Sequence, residues 1–250
     1  RVRRGDCGLL LLPQLAEVSN WHDAESALHV SVKRALREYG EAATTSITKE
    51  LQQMVDRNVW TPVARSDLTP AQRRAVIRSS MFLKEKFSTT GEFEKLKARL
   101  VAGGDQQDKE LYEDLSSPTA ATASVMAVAA IAAAEGRRVM TIDIGGAFLH
   151  ADMATGVTVH VRLDATMTAI LVKMRPEYKK YVDDKGELLV RLNKAMYGCV
   201  EAAKLWYEDL RGTLLSDGFK KNEYDPCVSP VDPSDAADEL ACADRSCTRH

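Results

Sequence analysis

The chain has 250 residues, of which 45% are hydrophobic, which is enough apolar sequence to build one core and too little for more than two ordinary domains. This composition excludes a disordered or fibrous protein. The formal net charge is −2, so no overall basic field draws the chain to nucleic acid or anionic lipid, and any such binding must come from a local patch.

The sequence carries no segment typical of export or membrane insertion. The longest apolar run, residues 125–134, is about half of a membrane span, and the leucines at 9–12 are too few for a signal peptide. Five cysteines without a CxxC pair argue against disulfides, and Cys242, Cys247 and His250 match no common zinc spacing. We expect a soluble, cytoplasmic chain. Since it begins with Arg1 rather than Met, we expect a piece of a longer protein or the translation of an open frame.

The first hundred residues predict a lead-in, two helices and a hairpin. Residues 1–20 show neither helical nor strand periodicity and are interrupted by glycine and proline. Between residues 21 and 59, apolar residues recur at helical spacing in two sets. Within residues 78–101, two apolar stretches flank a Thr-Thr-Gly turn at 89–91, which is the pattern of a β-hairpin.

The middle of the chain predicts a helix and a buried strand. Residues 118–135 form an apolar helical pattern, with Ser117 placed to cap it and Gly136 just past its end. Because its surface is almost entirely Ala, Val, Met and Ile, we expect it to be buried against a sheet. Residues 138–144 are apolar and partly β-branched, which predicts a buried strand that delivers Asp143 to its end.

The last third predicts two strands and another helix before the composition changes. Residues 157–163 alternate as a half-buried strand, and a Lys-Gly turn precedes a strand at 188–192. Residues 202–216 carry an apolar stripe typical of a helix. Strands interleaved with buried helices indicate an α+β fold. The chain then becomes acidic and rich in proline, and we expect residues 229–250 to form a disordered tail.

Several short motifs stand in an order and spacing that resemble one family. They are KARLVAGG at 97–104, SPT at 117–119, IDIGGAFLH at 142–150, LNKAMYG at 192–198, WY at 206–207 and DPC at 225–227. Together they resemble the reverse transcriptase of copia-type LTR retrotransposons over about residues 45–228. The resemblance implies the fingers and palm of an RNA-directed DNA polymerase within residues 21–228. It also implies Mg²⁺, deoxynucleotides, an RNA template, a DNA primer, and a polyprotein that enters a virus-like particle.

Asp143 matches the first metal-binding aspartate of this family, with the carbonyl of Ile144 expected to assist. Nucleotidyl transfer uses two divalent ions about 4 Å apart, which requires carboxylates from at least two chain segments. Mg²⁺ suits such a site because it prefers hard oxygen ligands and substrate phosphates. From its context alone, the alternative is an aspartate that caps the turn after a strand.

Three further residues match nucleotide-binding positions of the family. Phe148 corresponds to an aromatic ring under the incoming sugar, where a bulky side chain excludes a 2′-hydroxyl; the alternative is plain core packing. Tyr197 and Gly198 resemble the motif that shapes the nucleotide pocket. The usual Lys-Gln-Ala-Pro continuation is Val-Glu-Ala-Ala at 200–203, so the Lys and Pro of the neighbouring template contact are missing.

Residues 71–100 are locally basic, with eight Lys and Arg against three Glu. In the family this hairpin forms the fingers, and Lys86 with Lys97 or Arg99 contacts the incoming triphosphate or the template backbone. The sequence leaves open which of Lys97 and Arg99 points inward. The alternative for the whole segment is an ordinary solvated face.

Residues 181–184 spell Tyr-Val-Asp-Asp, the pattern that carries the polymerase's other metal-binding aspartates, but we interpret Asp183 and Asp184 as turn residues. The flanks are polar, whereas a functional copy lies between apolar strands, and the family order places it after residues 225–227. We therefore interpret the chain as truncated, incomplete in its palm and catalytically inactive in this form. The alternative is a retained module that binds nucleic acid or a protein without chemistry.

The same interpretation has a consequence for solubility. In the family, the strand that carries the first aspartate is covered along its edge by the Tyr-x-Asp-Asp hairpin. Without that hairpin, we expect an unpaired apolar strand edge at residues 138–144 and a chain that is marginally soluble.

Overall fold

A computed structural model describes residues 29–229, apart from residues 89, 154 and 155. The predicted lead-in at 1–20 and, except for Ser229, the predicted tail at 229–250 lie outside the described residues. The chain divides into two compact units, a smaller one of Arg1–Lys49 and Met81–Arg99 and a larger one of Glu50–Ser80 and Leu100–His250.

The described residues form six strands and six α-helices, in agreement with a fold that mixes both. The strands are β1 (His29–Ser31), β2 (Trp60–Val63), β3 (Ile77–Phe87), β4 (Phe93–Ala102), β5 (His160–Leu163) and β6 (Leu188–Leu192). The helices are α1 (Val32–Tyr39), α2 (Glu41–Asp56), α3 (Pro70–Arg74), α4 (Thr122–Ala134), α5 (Ala165–Met174) and α6 (Ala202–Ser216). Within the described ranges, no helix is both long enough and apolar enough to cross a membrane.

In the smaller unit, helices α1 and α2 accompany three strands. Strand β1 pairs antiparallel with β3, which in turn pairs with β4 to form the predicted hairpin. Buried and exposed residues alternate along both long strands, as expected for a sheet with one covered face. The Ser46 hydroxyl of α2 donates to the Leu96 carbonyl at 3.1 Å and accepts from the Ala98 amide at 2.9 Å, which fixes the helix beside β4.

In the larger unit, the sheet order is β3, β5, β6, β2. The start of β3 is parallel to β5, with Ile77 opposite Val161, and the other two pairings are antiparallel. Strand β6 has four buried residues of five, and it packs in the middle of this sheet. Helix α5 begins where the Asp164 carboxylate accepts the Met167 amide at 2.9 Å, and it buries Met167 and Leu171. The largest fully buried side chains of this unit include Leu163 on β5, Leu188 on β6 and Leu171 on α5.

Several predicted elements are confirmed. The hairpin, the strand at 188–192 and the helix at 202–216 form where the sequence indicates, and two helices occupy residues 32–56. The strand expected at 157–163 is shorter and begins at His160.

The prediction of a buried helix at 118–135 is wrong in its start and in its burial. Helix α4 spans Thr122–Ala134, and of its residues only Ala132 is buried, while Met126 is 65% exposed. Ser117 does not cap it, because its hydroxyl donates to the Ala203 carbonyl at 3.1 Å. The Asp225 carboxylate of the DPC motif instead accepts the amide of Ala121, at the helix start, at 2.9 Å.

The predicted strand at 138–144 does not form. These residues are irregular, and Met140 is 79% exposed. A β-strand needs a neighbour to satisfy its backbone groups, and none of the described strands pairs with this segment. The apolar pattern expresses a tendency to be buried, but it carries no information on whether a partner strand is present.

Candidate functional site

The turn that follows Asp143 is anchored to the end of α2. Arg57 Nη2 donates to the Gly145 carbonyl at 3.2 Å, and Arg57 Nη1 lies 2.5 Å from Nε2 of His150. Gly146 has a φ of 65°, and a Cβ atom there would lie 2.5 Å from Gln53 Nε2. The left-handed backbone conformation favours glycine at position 146, whereas the Gln53 amide is the end of a flexible side chain that can move aside.

This turn brings Phe148 next to Tyr197. Their ring centroids lie 5.0 Å apart with planes at 58°, and both residues are partly exposed. Two hydrogen bonds hold the two segments together: the Ala195 amide donates to the Ala151 carbonyl at 2.8 Å, and Lys194 Nζ donates to the His150 carbonyl at 3.0 Å. Two predicted nucleotide-binding residues, distant in sequence, thus form one aromatic surface.

Tyr197 and Gly198 also meet the end of β4, backbone against backbone. The Ala102 amide donates to the Tyr197 carbonyl at 2.7 Å. Gly198 has a φ of 89°, and a Cβ atom there would lie 2.2 Å from the Ala102 carbonyl oxygen. A Cβ atom at Gly104 would lie 2.0 Å from the Gly198 carbonyl oxygen. The KARLVAGG and LNKAMYG motifs therefore pack directly against each other, and the backbones approach so closely that only glycine fits at positions 104 and 198.

A buried polar network secures the segment after Gly198. Glu201 is 2% exposed and accepts from Gln107 Nε2 at 2.9 Å and from the Tyr112 hydroxyl at 3.0 Å. Burial and the Glu201 charge raise the pKa of the Tyr112 hydroxyl, which therefore remains a donor at neutral pH. Burial likewise raises the pKa of the Cys199 thiol to about 12, so this cysteine is unreactive.

The sequence did not identify Glu201 as part of the site. Its partners Gln107 and Tyr112 lie about ninety residues away in the chain, and no local pattern connects them. The only signal was the departure from the family motif at residues 200–203.

Asp143 and Ile144 lie in the irregular segment before the turn, and both are exposed. Within the part of the chain that the structure describes, no group of three or more His, Cys, Asp or Glu residues is placed to hold a metal ion. The described residues therefore assemble no cluster for a two-ion Mg²⁺ site, which needs carboxylates from a second segment, and we derive no reaction step through the metal.

The interpretation of residues 181–184 as a turn is confirmed. Asp183 Oδ1 accepts the amides of Lys185 and Glu187, both at 2.9 Å, and the Gly186 amide donates to the Asp183 carbonyl at 2.9 Å. Asp184 is exposed in the same turn. The carboxylate of Asp183 stabilises a connection into β6, as aspartate commonly does in turns.

The smaller unit carries the basic residues of the hairpin on one face. Leu96 and Ala98 of β4 are buried, so the alternating residues Lys97 and Arg99 lie together on the opposite face of the strand. The same alternation on β3, where Met81 and Leu83 are buried, brings its lysines to that side. We call this surface the basic face, formed by Lys84, Lys86, Lys97 and Arg99.

Replacing Lys86, Lys97 and Arg99 together with alanine should flatten the salt dependence of any nucleic-acid binding. Each phosphate contact that is lost reduces the slope of log K against log salt concentration by about one, so we expect a slope smaller by about two to three. Fluorescence anisotropy over a salt series measures it.

The matched control for this triple variant removes the same charge from the helical part of the smaller unit, at Lys33, Arg37 and Lys49, all of which are exposed. This control should leave the slope unchanged. An equal reduction in both triple variants would mean that the basic face is not a localised binding site.

Comparisons with known proteins agree with these features. Residues 57–228 match the family model described as reverse transcriptase (RNA-dependent DNA polymerase). The chain is 28% identical over 174 residues to the Retrovirus-related Pol polyprotein from transposon RE2 of Arabidopsis thaliana, and 26% identical over 171 residues to that from transposon RE1. It is 29% identical over 133 residues to the polyprotein from transposon TNT 1-94 of Nicotiana tabacum.

The two Arabidopsis matches cover 68% of this chain and 10% of each relative, and the tobacco match covers 53% and 9%. The chain thus spans about a tenth of the length of the curated relatives it matches. No solved structure matches it.

Proposed function

Because the chain belongs to the reverse transcriptase (RNA-dependent DNA polymerase) family, we propose that it represents the fingers and part of the palm of a copia-type retrotransposon polymerase. In this proposal, the basic face belongs to the fingers, and the turn with Asp143, Phe148 and Tyr197 belongs to the palm. The ligands of the domain are an RNA template, a DNA primer and deoxynucleotides. The family match supports this origin, and no comparison favours the alternative of a retained module that binds nucleic acid or a protein without chemistry.

The contact between Phe148 and Tyr197 supports a role in nucleotide selection. The two rings are 5.0 Å apart, and the turn that bears Phe148 is tied to α2 and to residues 194–195, so the aromatic surface is held in place. A rigid ring beside an incoming sugar disfavours a 2′-hydroxyl, which suits a polymerase that makes DNA. Gly198 acts through the close approach to β4 and positions Tyr197 rather than touching a ligand itself.

We further propose that this 250-residue chain does not catalyse polymerisation by itself. The observation that carries this proposal is that the described residues form no group of three or more His, Cys, Asp or Glu side chains that could hold a metal ion, at Asp143 or elsewhere. The Asp-Asp pair at 183–184 is part of a turn, and one of its carboxylates is already bonded to two backbone amides.

The purified chain is expected to give no extension of a DNA primer on an RNA template, with either Mg²⁺ or Mn²⁺. Asp143→Asn and the matched exposed control Asp184→Asn should both behave as the unmodified chain does. A gel-based primer-extension assay with labelled primer measures this. Extension that disappears in Asp143→Asn but persists in Asp184→Asn would show that the chain completes a metal site after all.

A further inference from the structure

A cavity of about 320 Å³ lies in the larger unit, and none of its lining residues belongs to the turn at 145–150. It opens between helix α3, the loop that follows β4 and the segment that leads into β5. Ile77 and Val159 are buried in its wall, whereas Leu111 is 63% exposed at its edge. Its size and apolar lining are typical of a site for a small ligand or a short piece of peptide.

One wall of the cavity is a free backbone edge at Thr158. The Val159 carbonyl accepts the Leu192 amide at 2.9 Å and so faces β6, and because successive residues alternate, the amide and carbonyl of Thr158 face the opposite edge. On that edge β3 begins only at Ile77, opposite Val161, so no strand lies beside Thr158. Among the described residues Thr158 has no hydrogen-bond partner. A strand edge of this kind can pair with an added extended segment.

An unpaired positive charge borders the same cavity. The exposed Arg74 guanidinium lines it, and among the described residues this group has no ion pair or hydrogen bond. Asp108 supplies the only carboxylate among the described lining residues, and its Oδ1 already accepts the Glu110 amide at 3.0 Å. A bound carboxylate would therefore meet its cation at Arg74, on the rim of an apolar cavity.

We propose that this cavity binds the C-terminal end of an extended peptide. In this arrangement, a carbonyl and an amide of the peptide pair with the free amide and carbonyl of Thr158, as in the addition of a strand to a sheet edge. The terminal carboxylate contacts Arg74, and the last side chain, which is apolar, packs among Ile77, Leu111 and Val159. The inference concerns a protein partner and not a substrate, so it does not rest on the proposed function.

The three features together favour a peptide end over other occupants. A nucleic-acid strand offers phosphates to Arg74 but has no row of alternating amides and carbonyls for Thr158. A small apolar anion satisfies the charge and the apolar wall but leaves the Thr158 edge open. A peptide terminus supplies a carboxylate, an apolar side chain and backbone groups at once.

Arg74→Gln tests the carboxylate contact, with the 250-residue chain and a fluorescein-labelled peptide, Gly-Ser-Thr-Val-Thr-Leu, that has a free C-terminus. We expect the dissociation constant to rise about fivefold, because a charge-assisted hydrogen bond at a solvent-exposed cation is lost. The same peptide with an amidated C-terminus should bind the unmodified chain about fivefold more weakly and should be insensitive to Arg74→Gln. Fluorescence anisotropy without nucleic acid or metal measures these dissociation constants.

The matched control is Arg73→Gln, the same substitution at the preceding residue of the same helix. Arg73 is exposed, does not line the cavity and donates through Nη2 to the Ser66 carbonyl at 3.3 Å. This variant should bind both peptides as the unmodified chain does, and thermal denaturation should show that both glutamine variants remain folded.

N-methylation of the peptide tests the strand pairing, since it removes one amide donor at a time. Along a paired strand, successive amides point to opposite edges. Methylation of one of the last two amides should therefore weaken binding about fivefold, and methylation of the other should leave it nearly unchanged. An apolar ligand held without backbone pairing would show no such alternation.

Four results would overturn the inference. They are the absence of binding by the unmodified chain, equal affinities for the free and amidated peptides, equal effects of Arg74→Gln and Arg73→Gln, and equal effects of the two N-methylations. Displacement of the peptide by an oligodeoxythymidylate, or self-association in sedimentation that the peptide reverses, would assign the cavity to nucleic acid or to a second copy and also contradict it. Primer extension is a separate measurement, so activity in that assay would contradict the proposed function and leave this inference standing.

Discussion

Replacing Gly198 with alanine should lower the melting temperature of the chain by about 10 °C or more, measured by circular dichroism. The residue has a φ of 89°, and the new Cβ atom would lie 2.2 Å from the Ala102 carbonyl oxygen. Relief of this clash requires the backbone to separate, which breaks the 2.7 Å hydrogen bond from the Ala102 amide to Tyr197. Strain of this kind costs about 3–5 kcal/mol, a large part of the total stability of about 5–15 kcal/mol typical of a domain.

Gly212→Ala is the matched control, because Gly212 lies within α6 and an added Cβ atom meets nothing within 4 Å. Alanine favours a helix over glycine by about 1 kcal/mol, so this variant should melt about 2–4 °C higher than the unmodified chain. A Gly198→Ala variant that melts within the error of the unmodified chain would show that the backbone contact with β4 is not required for folding.

Supplying a partner strand for residues 138–144 should stabilise the chain and reduce its aggregation. The change is to fuse a Tyr-x-Asp-Asp hairpin of the family after Val228. Val139, Met140 and Ile142 are largely exposed, and full burial of such a side chain is worth about 1.5–3 kcal/mol. We expect this burial, together with the backbone hydrogen bonds of the new strand pair, to outweigh the cost of ordering the segment and to raise the melting temperature by about 2–4 °C.

Light scattering during heating reports aggregation in the same experiment. The control is the same fusion with the apolar residues of the hairpin replaced by serine, which keeps the length and removes the surface that would pack on residues 138–144. If the two fusions are alike in melting temperature and scattering, the exposed apolar segment is not a missing strand of the palm, and the fingers and partial palm proposal loses support.

The elements that the sequence predicted well are those whose partners lie in the described chain. The hairpin forms because β3 and β4 are neighbours joined by a short turn, and the helix at 202–216 has a one-sided apolar stripe. Helix α4 and residues 138–144 have equally clear apolar patterns, yet most of their side chains are exposed. Periodicity indicates which residues favour burial, whereas burial itself depends on what lies opposite, and a local pattern contains no such information.

The candidate site was likewise predicted only in part from the sequence. The motifs identified Phe148 and Tyr197, but their contact became visible only with the turn at 145–150 in place. The shared face of Lys97 and Arg99 was available from the sequence, because Leu96, Ala98 and Leu100 alternate with them as apolar residues.

The turn at residues 181–184 bears on how tetrapeptide patterns are read in genomes. Asp183 Oδ1 accepts hydrogen bonds from two backbone amides, each with its nitrogen 2.9 Å away, and these bonds occupy lone pairs that a cation would otherwise share. The same tetrapeptide sequence can thus supply metal ligands in one protein and stabilise a turn in another. The two cases differ in whether the folded backbone donates hydrogen bonds to the carboxylate oxygens. In the sequence, the polar residues that flank the tetrapeptide indicate that it forms a turn.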